Sequence, residues 1–124
     1  MSKHVLIADD EANIVISLEF LMQREGYRVT IARDGDAALE AIRRERPDLV
    51  LLNVMMPGRS GFEVCQAVRA DEALAAVKIL MLSAKGRDTD LAKGLALGAD
   101  AYMTKPFSTR ELLQKVQGML AARR

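Results

Sequence analysis

A single cysteine, Cys65, means that no disulfide can form within this 124-residue chain. It stands between Val64 and Val68 in a helical stretch, the position of a reduced helix residue in a cytosolic protein rather than of a redox or metal centre. Excess charge is missing too. Eighteen basic residues offset seventeen acidic ones for a net charge of +1, so direct nucleic-acid binding through this segment is not expected. No apolar run is long enough to cross a membrane, and Met-Ser-Lys-His leads only into a short apolar strand, not a secretory leader. There is no repeat, low-complexity segment or linker. No Gly-rich or Ser/Thr-rich loop follows the first apolar run, which argues against a cradle for a nucleotide or flavin phosphate. What remains is one domain, residues 1–124, expected in the cytoplasm. Half its residues are hydrophobic and 28% are charged, enough for one real core.

What is present is an alternation. Five short runs read as strands: His4–Asp9, Tyr27–Ala32, Asp48–Asn53, Val77–Leu82 and Ala101–Thr104. Amphipathic stretches follow them near Asn13–Glu25, Asp36–Glu45, Phe62–Ala70, Asp88–Leu97 and Thr109–Ala122. In the first, Ile14, Leu18, Leu21 and Met22 share a helical face, while Glu19, Gln23 and Arg24 lie elsewhere. The third and fourth strands are apolar almost throughout, as central parallel strands covered on both faces should be. Gly26, Gly35 and Gly98 fall after helices or in turns, where a positive φ is wanted. Ser108 with Glu111 makes a capping box for the last helix. Strict β-α alternation with short links predicts an α/β fold, an open parallel sheet wound on both sides.

In such sheets ligands gather beyond the carboxyl ends of the strands, where the strand order reverses. That rule brings the ends of the first and third strands side by side. Asp9, Asp10 and Asn53 then share a crevice, with Ser83 and Lys105 on its rim. Two carboxylates, a lysine and an acceptor position describe a site for a divalent cation and a phosphoryl group. Taken singly each residue has a plainer explanation: Asp9 and Asp10 as helix-start acids, Ser83 as a turn hydroxyl, Tyr102 as sheet packing, Lys105 as a solvated loop lysine. The set carries the sharper meaning. Met55 and Met56 read as loop packing. Arg43-Arg44-Glu45-Arg46 reads as a solvated helix end at the C-terminal dipole, and Arg123-Arg124 as another or as the start of a linker. His4 has no partner pattern and is assigned no role.

Together these residues resemble the receiver domain of bacterial two-component response regulators, over essentially the whole chain. The matching features are an acidic pair after the first strand (Asp9-Asp10) and an acceptor position with Met-Pro and a glycine downstream (Asn53, Met56-Pro57, Gly61). Ser83-Ala84 follows, and then the run from Gly98 to Phe107 with Tyr102 and Lys105-Pro106. The resemblance implies a flavodoxin-like sheet of five parallel strands in the order 2-1-3-4-5, with five helices. Flavodoxin and the chemotaxis receiver themselves illustrate the switch-point rule, so this strand order rests on the resemblance.

The roles are likewise what the resemblance implies. Asp9, Asp10, residue 53 and the Met55 backbone carbonyl would hold Mg²⁺. Lys105 would pair with the acceptor and then with the phosphoryl oxygens. Ser83 would hydrogen-bond the phosphoryl group, and Tyr102 would turn inward behind it, reshaping the face formed by helix four, strand five and helix five for an output partner. The Lys105–Pro106 bond is cis in the family. A sensor histidine kinase or a phosphotransfer protein would be the donor. Members catalyse only their own phosphorylation and dephosphorylation, so the chain is not expected to be an enzyme in the usual sense.

This sequence departs from the family at the acceptor itself, where Asn53 stands in place of aspartate. A neutral amide is a far poorer nucleophile than a carboxylate, so phosphorylation should be blocked. Removing a charge from a crowded acidic pocket should weaken Mg²⁺ binding and stabilise the metal-free domain. Three origins are open: an engineered unphosphorylatable variant, a natural phosphate-independent pseudo-receiver acting as a binding module, and a sequence error. Engineering is favoured because every other motif residue is intact. No DNA-binding segment follows in this sequence, which leaves a stand-alone receiver or one excised from a longer regulator. Ala101 and Gln117 stand where receivers fused to winged-helix DNA binders carry charged dimer-face residues, so a monomer is expected when unphosphorylated. A Mg²⁺-dependent phosphohydrolase of the haloacid dehalogenase type is the competing class. It wants two acids two residues apart after the first strand, a pattern Asp9-Asp10-Glu11-Ala12 does not supply.

Overall fold

The computed structural model describes residues 2–84 and 88–121. Its strands are β1 (His4–Ala8), β2 (Arg28–Ala32), β3 (Leu49–Asn53), β4 (Lys78–Ala84) and β5 (Ala101–Lys105). Its helices are α1 (Ala12–Arg24), α2 (Gly35–Glu45), α3 (Gly61–Arg69), α4 (Asp88–Ala96) and α5 (Thr109–Ala121). A 3₁₀ turn at Glu72–Leu74 links α3 to β4, an element that the sequence pattern does not signal. The expected strand and helix bounds hold to within one or two residues; Ala122, Arg123 and Arg124 lie outside the described residues. All five strands are parallel in the order β2-β1-β3-β4-β5. This is the flavodoxin-like arrangement, with the order reversing between β1 and β3.

Two apolar layers sandwich the sheet because neighbouring side chains on a strand point to opposite faces. Val5, Ile7, Leu49, Leu51, Leu80 and Leu82 meet α1 and α5 through Leu18, Met22, Leu112 and Val116. Leu6, Leu52, Ile79 and Met81 meet α2 and α3 on the other side through Leu39, Ile42, Val64 and Val68. Cys65 is buried in that second layer, and its burial pushes the thiol pKa up. A thiol kept protonated in this way is inert. Among the described residues no helix is long and apolar enough to cross a membrane.

Caps fix where the helices begin. Ser60 and Glu63 form a reciprocal capping box at the start of α3. At α5 the Glu111 amide donates to the Ser108 hydroxyl, 3.0 Å, which is one half of the capping box the sequence predicts. Gly26 and Gly98 adopt positive φ as expected, whereas Gly35 does not. Gly35 is required for closeness instead: a Cβ there would lie 2.0 Å from the Arg59 carbonyl oxygen. The left-handed residue that ends α2 is Arg46, with φ 48°. His4 also has a place after all. Its ring Nε2 lies 2.8 Å from the Thr30 hydroxyl, which donates to Glu45. That bond holds the Glu45 carboxyl below its usual range, with Arg44 adding to the effect against some desolvation.

One glycine governs the approach of α3 to the carboxyl end of β3. The Gly61 amide donates to the Val54 carbonyl at 2.8 Å, and a Cβ on Gly61 would stand 2.3 Å from the Asn53 carbonyl oxygen. Gly61→Ala should therefore destabilise the fold by about 1–3 kcal/mol through overpacking. A chemical denaturation midpoint unchanged from that of the parent would contradict this.

Candidate functional site

Strand register assembles the site. Ala8 pairs with Leu52, so Asp9, one residue past β1, comes level with Asn53, the last residue of β3. Asn53 pairs with Leu82, and Ala84 pairs with Lys105. Asp9, Asn53 and Lys105 thus converge from three different strands at one edge of the sheet.

Lys105 Nζ donates to Asp9 Oδ2 at 2.9 Å, to Asn53 Oδ1 at 3.2 Å and to Glu11 Oε1 at 3.3 Å. Asp9 is only 1% exposed and Asn53 5%, so the Lys105–Asp9 pair is shielded from solvent screening. On the other side of the amide, Asn53 Nδ2 donates to the Met55 carbonyl oxygen at 2.9 Å. It also faces Asp10 Oδ1 at 3.3 Å and Asp9 Oδ1 at 3.4 Å. An amide nitrogen has two hydrogens, so Met55 takes the better one and the two carboxylates share the other. The amide's orientation is fixed by its neighbours. An ammonium faces one end, which must be oxygen, and three acceptors face the other, which must be nitrogen. Asp9 Oδ1 also accepts from the Glu11 amide at 3.0 Å, closing a tight turn into α1. Glu11, the N-cap of α1, makes no side-chain cap, and no acid lies in that helix's first turn. Asp9 and Asp10 are therefore committed to the crevice rather than to capping.

Three carboxylates, from Asp9, Asp10 and Glu11, surround one ammonium and one neutral amide. Asp9 Oδ1, Asp10 Oδ1 and the Met55 carbonyl are hard oxygen donors on one side of Asn53, a set that suits Mg²⁺. The amide weakens the fit because it presents N–H where a fourth oxygen would serve. Turning the amide over would offer Oδ1 but would set its NH₂ against Lys105. Among the described residues no group of three or more acid, histidine or cysteine side chains forms a metal centre.

The remaining expected residues differ. Ser83 follows Leu82, the residue that pairs with Asn53. It lies within β4, is 1% exposed, and donates its hydroxyl to Asp90 Oδ2 on α4 at 2.9 Å. Tyr102 sits half-buried in β5 against α4, where a Cβ on Gly94 would lie 3.7 Å from its ring. The Met55 side chain is 61% exposed, so loop packing does not describe it; Met56 is half-buried against the core. The Lys105–Pro106 bond is cis. Glu11 and Asp90 were missed. Glu11 follows two acids directly and could have been found by counting charges around Lys105. Asp90 gave no signal, since its partner is set by tertiary packing alone.

Without metal, Asn53→Asp should cost about 1–3 kcal/mol, because the Met55 carbonyl loses its donor and a fourth carboxylate joins three. Thermal or urea denaturation in a chelating buffer measures this; an unchanged or higher midpoint would contradict it.

A profile of the response regulator receiver domain matches residues 5–117. Among solved structures the chain is similar to a protein assigned as a response regulator of Chloroflexus aurantiacus, at 34% identity and TM-score 0.94, covering 98% of this chain and 100% of that one. It is similar to a chemotaxis response regulator of Vibrio cholerae at 33% identity and TM-score 0.89, covering 96% and 99%. A third is the receiver domain of a sensor histidine kinase from Pseudomonas aeruginosa, which has a magnesium ion coordinated in its active-site cleft. It is 28% identical with TM-score 0.90, covering 98% and 100%.

Proposed function

The chain belongs to the response regulator receiver domain family, and we propose that residue 53 is the phosphoacceptor position of this receiver, disabled here by an amide. The observation that carries the proposal is the Asn53 side chain, gripped by Lys105 at its oxygen and facing Met55, Asp10 and Asp9 at its nitrogen. A carboxylate at that position would keep the lysine contact and aim its second oxygen into the crevice.

Phosphoryl transfer is mostly positioning and charge neutralisation. Lys105 is poised to pass from the acceptor to phosphoryl oxygens without changing its anchor on Asp9. Asp9, Asp10 and the Met55 carbonyl would hold Mg²⁺, which when bound neutralises phosphoryl charge. The Pseudomonas relative's magnesium supports that assignment. The Asn53 oxygen, already accepting from Lys105 and lacking a full negative charge, is a poor nucleophile. The donor would be a sensor histidine kinase or a phosphotransfer protein. Ser83 and Tyr102 would relay occupancy to the face of α4, β5 and α5. A groove there is lined by Leu91, Tyr102, Met103, Phe107 and Met119, and it is the surface offered to an output partner. We take residues 1–124 as one receiver, cytoplasmic and monomeric in the resting state. Retention of Asp9, Asp10 and Lys105 favours an engineered acceptor.

A second reading has its own support. Both ends of the Asn53 amide are hydrogen-bonded, so a natural phosphate-independent binding module would hold the same resting site. Intact mass after incubation with Mg²⁺ and a small-molecule acyl phosphate separates the two. This chain should gain nothing and Asn53→Asp should gain one phosphoryl group. Gain on this chain would refute the acceptor assignment, and gain on neither would favour the binding module.

A further inference from the structure

We propose that Asp90 is a positioning residue that holds the Ser83 hydroxyl on α4 in the resting state, so that Ser83 must leave Asp90 before it can serve a phosphoryl group. The proposal rests on the receiver reading given above. Its basis is a count of protons. A serine hydroxyl has one hydrogen to donate, and here that hydrogen points to Asp90 Oδ2 at 2.9 Å. The alternative acceptor, the Ala84 carbonyl, is distant at 3.5 Å. A carboxylate and a phosphoryl oxygen are both acceptors, so they compete for the same hydrogen. The bond is also well protected: Ser83 is 1% exposed and Asp90 4%. A hydroxyl bound to an ionised acceptor out of water makes one of the stronger hydrogen bonds available to a serine.

Position makes the competition consequential. Asp90 is the third residue of α4, and Gly94, one turn later on the same face, lies over Met81 and the Tyr102 ring. The inward face of α4 thus holds Ser83 at one turn and covers Tyr102 at the next. On the outward side Leu91 and Leu95 are exposed. Releasing Ser83 loosens the turn of α4 that precedes the Tyr102 contact, and the side chains of the outward face move with that turn. A plainer role for Asp90 is the one acids commonly play near a helix start. The two roles differ in whether they act through Ser83.

Two experiments use that difference. In this chain, Ser83→Ala and Asp90→Asn should each speed amide hydrogen exchange in α4 by about tenfold, the scale of one charge-assisted hydrogen bond. The double variant should be no faster than either alone. Additive effects would overturn the proposal, and Ser83→Ala tests it even where Asp90→Asn folds poorly. In the Asn53→Asp chain with Mg²⁺, the phosphoryl analogue beryllofluoride should bind about tenfold tighter when Asp90→Asn is added, since the competing acceptor is weakened. That gain should vanish in the presence of Ser83→Ala. An unchanged affinity, or a gain that persists without the serine, would overturn the latch alone. Failure of Asn53→Asp itself to bind beryllofluoride would overturn the receiver reading, and the competition with it.

Discussion

Three carboxylates and one ammonium share a crevice at the carboxyl edge of the sheet, and the neutral amide of Asn53 lies between them. The amide reconciles groups that would otherwise conflict. Its oxygen takes a hydrogen from Lys105, and its nitrogen gives hydrogens to the Met55 carbonyl and the two aspartates. Asp9 closes the arrangement by binding Lys105 directly and by turning the chain into α1. Few side chains could stand at position 53 without leaving a buried donor or acceptor unpaired, and each unpaired group is costly.

The sheet exists to make that geometry rigid. Adjacent parallel strands deliver residues 9, 53 and 105 to the same edge, and two apolar layers prevent the strands from slipping in register. Gly61 lets α3 approach the β3 end closely enough to cover Asn53. One strand away, β4 and β5 meet α4. There, among the described residues, the Ser83–Asp90 bond, the close approach of Gly94 to Tyr102 and the Lys93 ammonium over the Phe62 ring fasten α4. A rigid crevice edge beside a helix fastened through Ser83 fits the proposed signalling role, in which one element moves against a fixed one.

Much of this was legible in the sequence because it depends on local periodicity. The apolar runs of β3 and β4, the face of α1 carrying Leu18 and Met22, and the Ser108–Glu111 start of α5 follow from side-chain spacing. The crevice followed from the switch-point rule together with the family resemblance. What escaped depends on contacts between distant residues. Arg46 occupies a left-handed position that a glycine usually marks, and Gly35 is needed for a neighbour's closeness rather than for its own φ. The Ser83 hydroxyl points along the sheet face to a helix seven residues on, and the Met55 side chain turns outward while its carbonyl turns in. His4 lacks any local signal, and its partners Thr30 and Glu45 come from other elements. Periodicity says which face a residue occupies, not which atom it meets there.

On the proposed receiver reading, the amide at position 53 does by hydrogen bonding part of what a cation does beside a carboxylate. Calorimetric titration of Mg²⁺ into this chain and into Asn53→Asp tests it most directly. The aspartate form should bind Mg²⁺ at least about tenfold tighter, since it adds a full charge and frees the oxygens of Asp9, Asp10 and Met55. Equal affinities would mean that Asn53 neither competes with the cation nor weakens its site.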